Sequence, residues 1–236
     1  MVEIERVKTG ILGLDELLNG GIPKGNLVLV SGTCGTGKTT FLVQYIYKGV
    51  VEYGEPGVLV SFEESIESIK RNALIFGWDL DALENQGMLS CIRLDPYHFE
   101  DMIEMIETAI RSINAKRVAI DSISVLGLYV KDEHDIRRKI YDLGEMLRRI
   151  DVTPLISTER LVGAKELSRF GIEEFVVDGV IVLFYTKTGT QFSRSLTIWK
   201  MRGTAHSEKI HPFQITPQGI VVYPREEIFA EEEFKL

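Results

Sequence analysis

The chain has 236 residues, 44% of them apolar and 26% charged, the balance of a soluble globular domain long enough to bury its own core. Two cysteines, Cys34 and Cys91, offer neither a disulfide framework nor a metal-ligand spacing, so a reducing, cytoplasmic setting is expected. The net charge of −8 disfavours a protein that grips nucleic acid by its phosphates, and no stretch has the length or flanks of a signal peptide or membrane span.

Short apolar runs alternate with longer amphipathic stretches, which predicts a mostly parallel sheet covered by helices. Asn26 to Ser31 reads as a buried strand that runs straight into Gly32-Thr33-Cys34-Gly35-Thr36-Gly37-Lys38-Thr39, with a helix from Thr39 to about Tyr53. Val58 to Phe62 is a second strand, with Glu63 and Glu64 at its carboxyl end, and a helix from Ser65 to Phe76 follows. Met88 to Leu94 reads as a strand, and Phe99 to Ile113 shows apolar residues at helical spacing. Arg117 to Asp121 is the next strand, Asp135 to Ile150 an amphipathic helix, and Thr153 to Ser157 a further strand ending at Thr158 and Glu159. The last third changes character: Gly179 to Tyr185, Ser195 to Arg202 and Ile220 to Tyr223 predict strands of an antiparallel extension. Residues 1–225 thus read as one domain, and the acidic stretch from Glu226 to Leu236 as a loosely attached tail. The basic clusters Arg137-Arg138-Lys139 and Arg148-Arg149 lie beside acids on a helix and read as a solvated face.

The pattern G-x-x-x-x-G-K-[ST] is met in full by Gly32, Gly37, Lys38 and Thr39, between an apolar strand and a helix. Glycines let backbone N–H groups turn toward phosphates, and the helix adds its positive amino end at Thr40 and before it. Lys38 is expected on the β- and γ-phosphates of ATP, and the Thr39 hydroxyl on Mg²⁺. Asp121, closing an apolar strand, is the expected second metal partner, although such an Asp also serves as a turn or cap residue. Hydrolysis needs a carboxylate beside the γ-phosphate, and ligands gather at the carboxyl ends of parallel strands, which is where Glu63 and Glu64 stand. The same pair would also suit the amino end of the helix that begins at Ser65.

Thr9-Gly10-x-x-Gly13-Leu14-Asp15, Gly20-Gly21-Ile22-Pro23-Lys24-Gly25, the loop Gly32 to Thr39, the pair Glu63-Glu64, Phe76-Gly77-Trp78-Asp79-Leu80 and Lys200-Met201-Arg202-Gly203-Thr204-x-His206 together resemble a KaiC-type domain, of the RecA-like P-loop ATPases. The resemblance covers nearly the whole chain, which carries one such domain where KaiC carries two. It implies a RecA-like α/β core and a homohexameric ring with ATP held between subunits, and it makes the adjacent glutamates water-activating carboxylates. It also implies that Lys200 and Arg202 reach a neighbour's site and that Met201, Thr204, His206 and Thr216 lie near nucleotide. Taken alone, the strand SLTIWKMR would read as an edge strand with alternating exposed cations. The Ser-Thr pair that KaiC's second domain phosphorylates is matched here by Glu174 and Phe175, so the resemblance is to the hydrolysing domain rather than the autokinase. Two other readings stay open on sequence: a nucleotide-sensing scaffold that recruits an unknown protein partner with little turnover, and a DNA-dependent motor on the same core.

Overall fold

The computed structural model describes residues 4–95, 97, 99–188 and 190–228. In chain order, β1 (Arg6–Val7) and α1 (Leu14–Leu17) lead to β2 (Ile22–Pro23), which pairs with β1 as a small ribbon. The body follows as β3 (Val28–Gly32), α2 (Lys38–Tyr53), β4 (Gly57–Ser61), α3 (Ile66–Leu74), α4 (Leu80–Asn85), β5 (Leu89–Arg93) and α5 (Phe99–Ser112). Then come β6 (Arg117–Asp121), the short α6 (Leu126–Tyr129), α7 (Glu133–Arg149), β7 (Thr153–Glu159) and the short α8 (Glu173–Val176). The chain closes with β8 (Gly179–Thr188), β9 (Gln191–Met201), β10 (His211–Thr216) and β11 (Gly219–Val222).

Nine strands form one sheet in the order β11-β10-β9-β8-β3-β7-β6-β4-β5. Strands β8, β3, β7, β6, β4 and β5 run parallel, and β9, β10 and β11 extend the sheet antiparallel from β8. The central strands are apolar on both faces because both are covered. In β3, Val28 and Val30 face the core under α2, α3 and α4, whereas Leu29 faces the core under α5 and α7. Strand β8 repeats the alternation, with Ile181 and Leu183 on the α2 side and Val180 and Val182 on the α7 side.

Each strand and helix expected from periodicity is present, with ends shifted by a few residues. Strand β7 runs on through Thr158 and Glu159. Strand β10, helix α4 and the short β1, β2, α1, α6 and α8 are additions. Pro212 disguises the first, since proline removes a ladder donor; α4 has only 6 residues and is set by Asp79, whose side chain accepts from the Ala82 N–H at 2.9 Å. The cations of α7 are interleaved with acids: Lys139 with Glu100 at 3.6 Å, Arg149 with Glu107 at 3.3 Å, and Arg148 with Glu145 at 2.8 Å. The beginning of the acidic C-terminal stretch is tied down, its Ile228 N–H donating to the Ile210 carbonyl at 2.9 Å; residues 229–236 lie outside the described residues.

A buried guanidinium locks α2 to the central sheet. Arg117, fully buried at the start of β6, donates from Nε to Glu55 at 2.6 Å and from Nη1 to the Tyr45 carbonyl at 3.1 Å. Its guanidinium also lies 4.6 Å from the Tyr45 ring centre. Gly49 makes room for it, because a Cβ there would stand 2.3 Å from Arg117 Cδ.

Candidate functional site

The parallel register collects the reactive side chains at one end of the sheet. Gly32 on β3 stands opposite Glu159 on β7, and Ser61 on β4 opposite Asp121 on β6. Beyond those residues the chain turns into loops that surround a cavity of about 410 Å³, lined by the phosphate loop, Glu63, Glu64, Asp121, Ser122, Glu159 and Ile215. This is the carboxyl edge, where a parallel sheet with helices on both faces leaves a crevice.

Local geometry explains the loop's glycines. Gly37 adopts φ 100°, in the left-handed region that a side chain avoids, and a Cβ would meet Ile215 Cδ1 at 2.9 Å. At Gly32 a Cβ would stand 2.9 Å from the Leu183 carbonyl oxygen. Helix α2 starts directly after Gly37 with no side-chain cap, so the N–H groups of its first turn are available to an anion. Thr36 is buried and braces the loop by donating to the Thr33 carbonyl at 2.9 Å, and the Lys38 ammonium lies over the loop, 3.0 Å from the Gly32 carbonyl and 3.1 Å from that of Thr33. Cys34 is exposed on the loop, and Gly35 and Thr40 line the cavity with it.

Two hydroxyls orient Asp121. Thr39 Oγ1 donates to Oδ2 at 2.5 Å, and Ser157 Oγ donates to Oδ1. A hydroxyl and a carboxylate side by side at a phosphate loop are hard oxygen donors that suit Mg²⁺ completed by phosphate and water. Among the described residues no cluster of three or more His, Cys, Asp or Glu is arranged to hold a metal without such help.

The two adjacent glutamates have different surroundings. Glu64 Oε1 accepts from Ser68 Oγ at 2.6 Å and Asn72 Nδ2 at 3.1 Å, which ties it to α3. The N-cap of that helix is Ser65, whose hydroxyl accepts from the Ser68 N–H at 3.2 Å. Glu63 lines the same cavity. Burial raises its pKa above the ordinary glutamate value, and the carboxylates of Glu159 and Asp121 add to the rise while Lys38 opposes it. Glu159 is the functional candidate that motif reading passed over. It closes β7 and carries no motif of its own, so only the pairing of β7 with β3 brings it to the cavity.

The remaining expected site residues separate into two places. Thr216 lies at the end of β10, one residue past Ile215, which lines the cavity; its own hydroxyl donates to the Gly219 carbonyl at 2.9 Å. Lys200, Met201 and Arg202 are at the opposite end of the sheet. Met201 pairs with Gly179, which pairs with Val28 at the amino end of β3. Four residue steps lead from Val28 to Gly32, about 13 Å at 3.3 Å per residue, so the chain's own cavity is out of reach of these cations. Lys200 Nζ donates to the carbonyls of Glu174 at 2.9 Å and Val177 at 2.6 Å; burial and nearby Arg202 lower its pKa. Arg202 pairs with Asp178 at 3.1 Å, as does Arg148 at 3.0 Å. Burial works against the Asp178 carboxylate, yet the Leu27 N–H and the two arginines hold its pKa below the ordinary aspartate value. Met201 is buried, Thr204 donates to the Ala205 carbonyl at 3.0 Å, and His206 lies away from the phosphate loop's cavity, with Nδ1 2.9 Å from the Ser207 carbonyl oxygen.

A parallel sheet with an antiparallel extension, a phosphate loop after β3 and acidic groups closing β4, β6 and β7 defines a P-loop ATPase of RecA-like fold. The family profile described as "ATPase: KaiC" matches residues 7–227. The chain is 41% identical over 238 residues to UPF0273 protein MJ1359 of Methanocaldococcus jannaschii, covering 94% of this chain and 97% of that one. With the circadian clock oscillator protein KaiC of Parathermosynechococcus lividus it shares 40% identity over 231 residues, 94% of this chain but 43% of that protein, so it spans less than half of this clock relative. The crystal structure of the KaiC-like protein PH0186 from Pyrococcus horikoshii superposes with a TM-score of 0.88 at 44% identity, over 94% of this chain and all of that one. The chain belongs to the KaiC family of ATPases.

Proposed function

We propose that this protein hydrolyses Mg·ATP slowly in the cytoplasm as a homohexameric ring, with each nucleotide completed by a neighbouring subunit, and acts as a conformational switch or timer read by a protein partner. The observation that carries this reading is the separation of the two halves of the site. Lys38, Thr39, Asp121 and Glu63 meet at the carboxyl edge of the sheet, whereas Lys200 and Arg202 stand at the amino edge, beyond reach of the chain's own nucleotide, a placement that suits a role at another copy's site. In this reading Glu63 accepts a proton from water as its oxygen attacks the γ-phosphorus and the bond to the β–γ bridging oxygen breaks. Lys38 holds the β- and γ-phosphate oxygens, and Thr39 with Asp121 holds the metal. When bound, Mg²⁺ neutralises charge on the phosphates. Glu64, held by Ser68 and Asn72, keeps α3 in place behind Glu63.

The reading is tested by light scattering with and without Mg·ATP, with phosphate release followed in the same samples. A hexamer that releases phosphate is the expected result; a monomer that binds ATP and releases none would replace the ring mechanism with a nucleotide-sensing scaffold. Stimulation of turnover by single-stranded DNA would point instead to a DNA-dependent motor.

Three further outcomes follow from the geometry. Lys38→Ala removes a charged partner of the phosphates, and ATP affinity by titration calorimetry should fall roughly 10- to 100-fold, the equivalent of about 1.5–3 kcal/mol. Because the pKa of Glu63 is raised, the acid limb of kcat/KM should lie above the ordinary glutamate range. Activity then falls as pH drops through that raised value, and Glu159→Gln, by removing a neighbouring negative charge, should move the limb to lower pH. Arg202→Ala should be inactive as a homogeneous ring yet regain turnover when co-assembled with a Glu63→Gln chain. Failure to regain it at any mixing ratio would count against a cation supplied by a neighbour.

A further inference from the structure

The side chain of Glu173 plays no part in the site described above, yet it is fully buried and closely bound. Thr158 Oγ1 donates to its Oε1 at 3.0 Å and Ser168 Oγ to its Oε2 at 2.6 Å, while the backbone N–H groups of Phe170 and Ile172 each reach Oε2 at 3.2 Å. Ser168 Oγ also lies in hydrogen-bond contact with the Glu174 carboxylate. A buried carboxyl group is costly unless its lone pairs are filled, and here the donors come from β7 and from the connection before α8, up to its N-cap Ile172. Glu173 thereby ties α8 and the connection before it to the end of β7, with which they share no sheet ladder.

The element it pins is the one that aims Lys200. The carbonyls of Glu174 and Val177, the second residue of α8 and the residue just after it, accept both hydrogen bonds from the Lys200 ammonium. On the other side, Thr158 sits between two residues of the chain's own site: Ser157 donates to Asp121, and Glu159 lines the phosphate cavity. One continuous set of contacts thus runs from the metal-side carboxylate of a subunit to the cation at its opposite edge.

We propose that Glu173 is a positioning residue for Lys200, fixing α8 so that the cation is held where the next subunit's nucleotide can use it. The inference rests on the reading that Lys200 serves a neighbouring site. A lysine that must approach a phosphate across a subunit boundary has four flexible bonds to order, and two fixed carbonyl acceptors restrict that freedom beforehand. The amide of Glu173→Gln would place an N–H group among donors, which loosens α8 while keeping the side chain's volume.

The test uses mixed rings. Homogeneous Glu173→Gln should bind ATP with wild-type affinity and release phosphate roughly tenfold more slowly, the size typical of losing a group that supports a functional residue from behind. Co-assembled in equal parts with Glu63→Gln, it should recover about a quarter of wild-type turnover, because half the subunits keep an intact Glu63 and half of those face an intact donor. Lys200→Ala mixed with Glu63→Gln serves as the control. Rescue in both mixtures supports the assignment. Rescue of Lys200→Ala but not of Glu173→Gln overturns it and leaves the neighbour-supplied cation standing; rescue in neither overturns both. Wild-type turnover by homogeneous Glu173→Gln also overturns it. If Glu173→Gln fails to fold, Ser168→Ala, which deletes one donor to the same carboxyl group, takes its place in the same mixtures.

Discussion

Glu63→Gln is expected to lower kcat about 10²- to 10⁴-fold, the range associated with a lost general base, while leaving ATP affinity unchanged. The substitution keeps size and hydrogen-bonding reach and removes only the ability to accept a proton as a carboxylate. Two features single out Glu63 from its neighbour. Both line the cavity, but the Glu63 pKa is raised, first by desolvation and then by the Glu159 and Asp121 carboxylates, whereas the hydrogen bonds to the Glu64 carboxylate come from Ser68 and Asn72 of α3. A raised pKa makes Glu63 a stronger base than an ordinary glutamate, and above that value it is still ionised. Glu64→Gln should therefore reduce turnover far less, since an amide can still accept from Ser68 and Asn72. Single-turnover phosphate release on both variants, with nucleotide affinity measured in parallel, checks the assignment; equal losses in the two would place the proton acceptor elsewhere.

The largest expected effect on stability comes from a site remote from the chemistry. Glu55→Ala removes the carboxylate partner of Arg117 and leaves a fully buried guanidinium with the Tyr45 carbonyl and the ring faces of Tyr45 and Tyr53. One of its nitrogens, Nη2, has no hydrogen-bond partner even with the pair intact. Breaking a buried ion pair from one side costs about 3–5 kcal/mol, and the lower end applies here because the Glu55 side chain is itself 32% exposed. In a domain of this size that loss lowers Tm by about 6–12 °C. Arg117→Met should cost much less, because a similar apolar volume in the same slot leaves no unpaired charge. Calorimetric melting of the two variants decides the point: a milder loss for Glu55→Ala than for Arg117→Met would mean that packing, not charge, dominates there.

The amino-acid sequence alone determined the alternation of strands and helices, the phosphate loop and the family. Those signals are local: apolar runs of strand length, helical periodicity, and glycines whose spacing serves a single turn of backbone around phosphate. The motif positions Lys38, Thr39 and Asp121 were legible for the same reason, since each sits at a strand end or helix start that periodicity marks. What periodicity could not supply was which strand lies beside which. The pairing of β7 with β3 brings Glu159 to the cavity, and the hydroxyl of Ser157 reaches Asp121 across the neighbouring strand. Nor could a Glu-Glu dipeptide reveal which of the two cavity-lining carboxyl groups is tied to α3, because that choice is made by Ser68 and Asn72 one and two turns along the helix. Strand β10, masked by Pro212, was recovered only through its ladder to β9 and β11. Above all, the register that puts Met201 opposite Gly179 sends Lys200 and Arg202 to the edge away from the phosphate loop. Position along a sheet is a property of strand pairing, and strand pairing depends on contacts distant in sequence that no local pattern encodes.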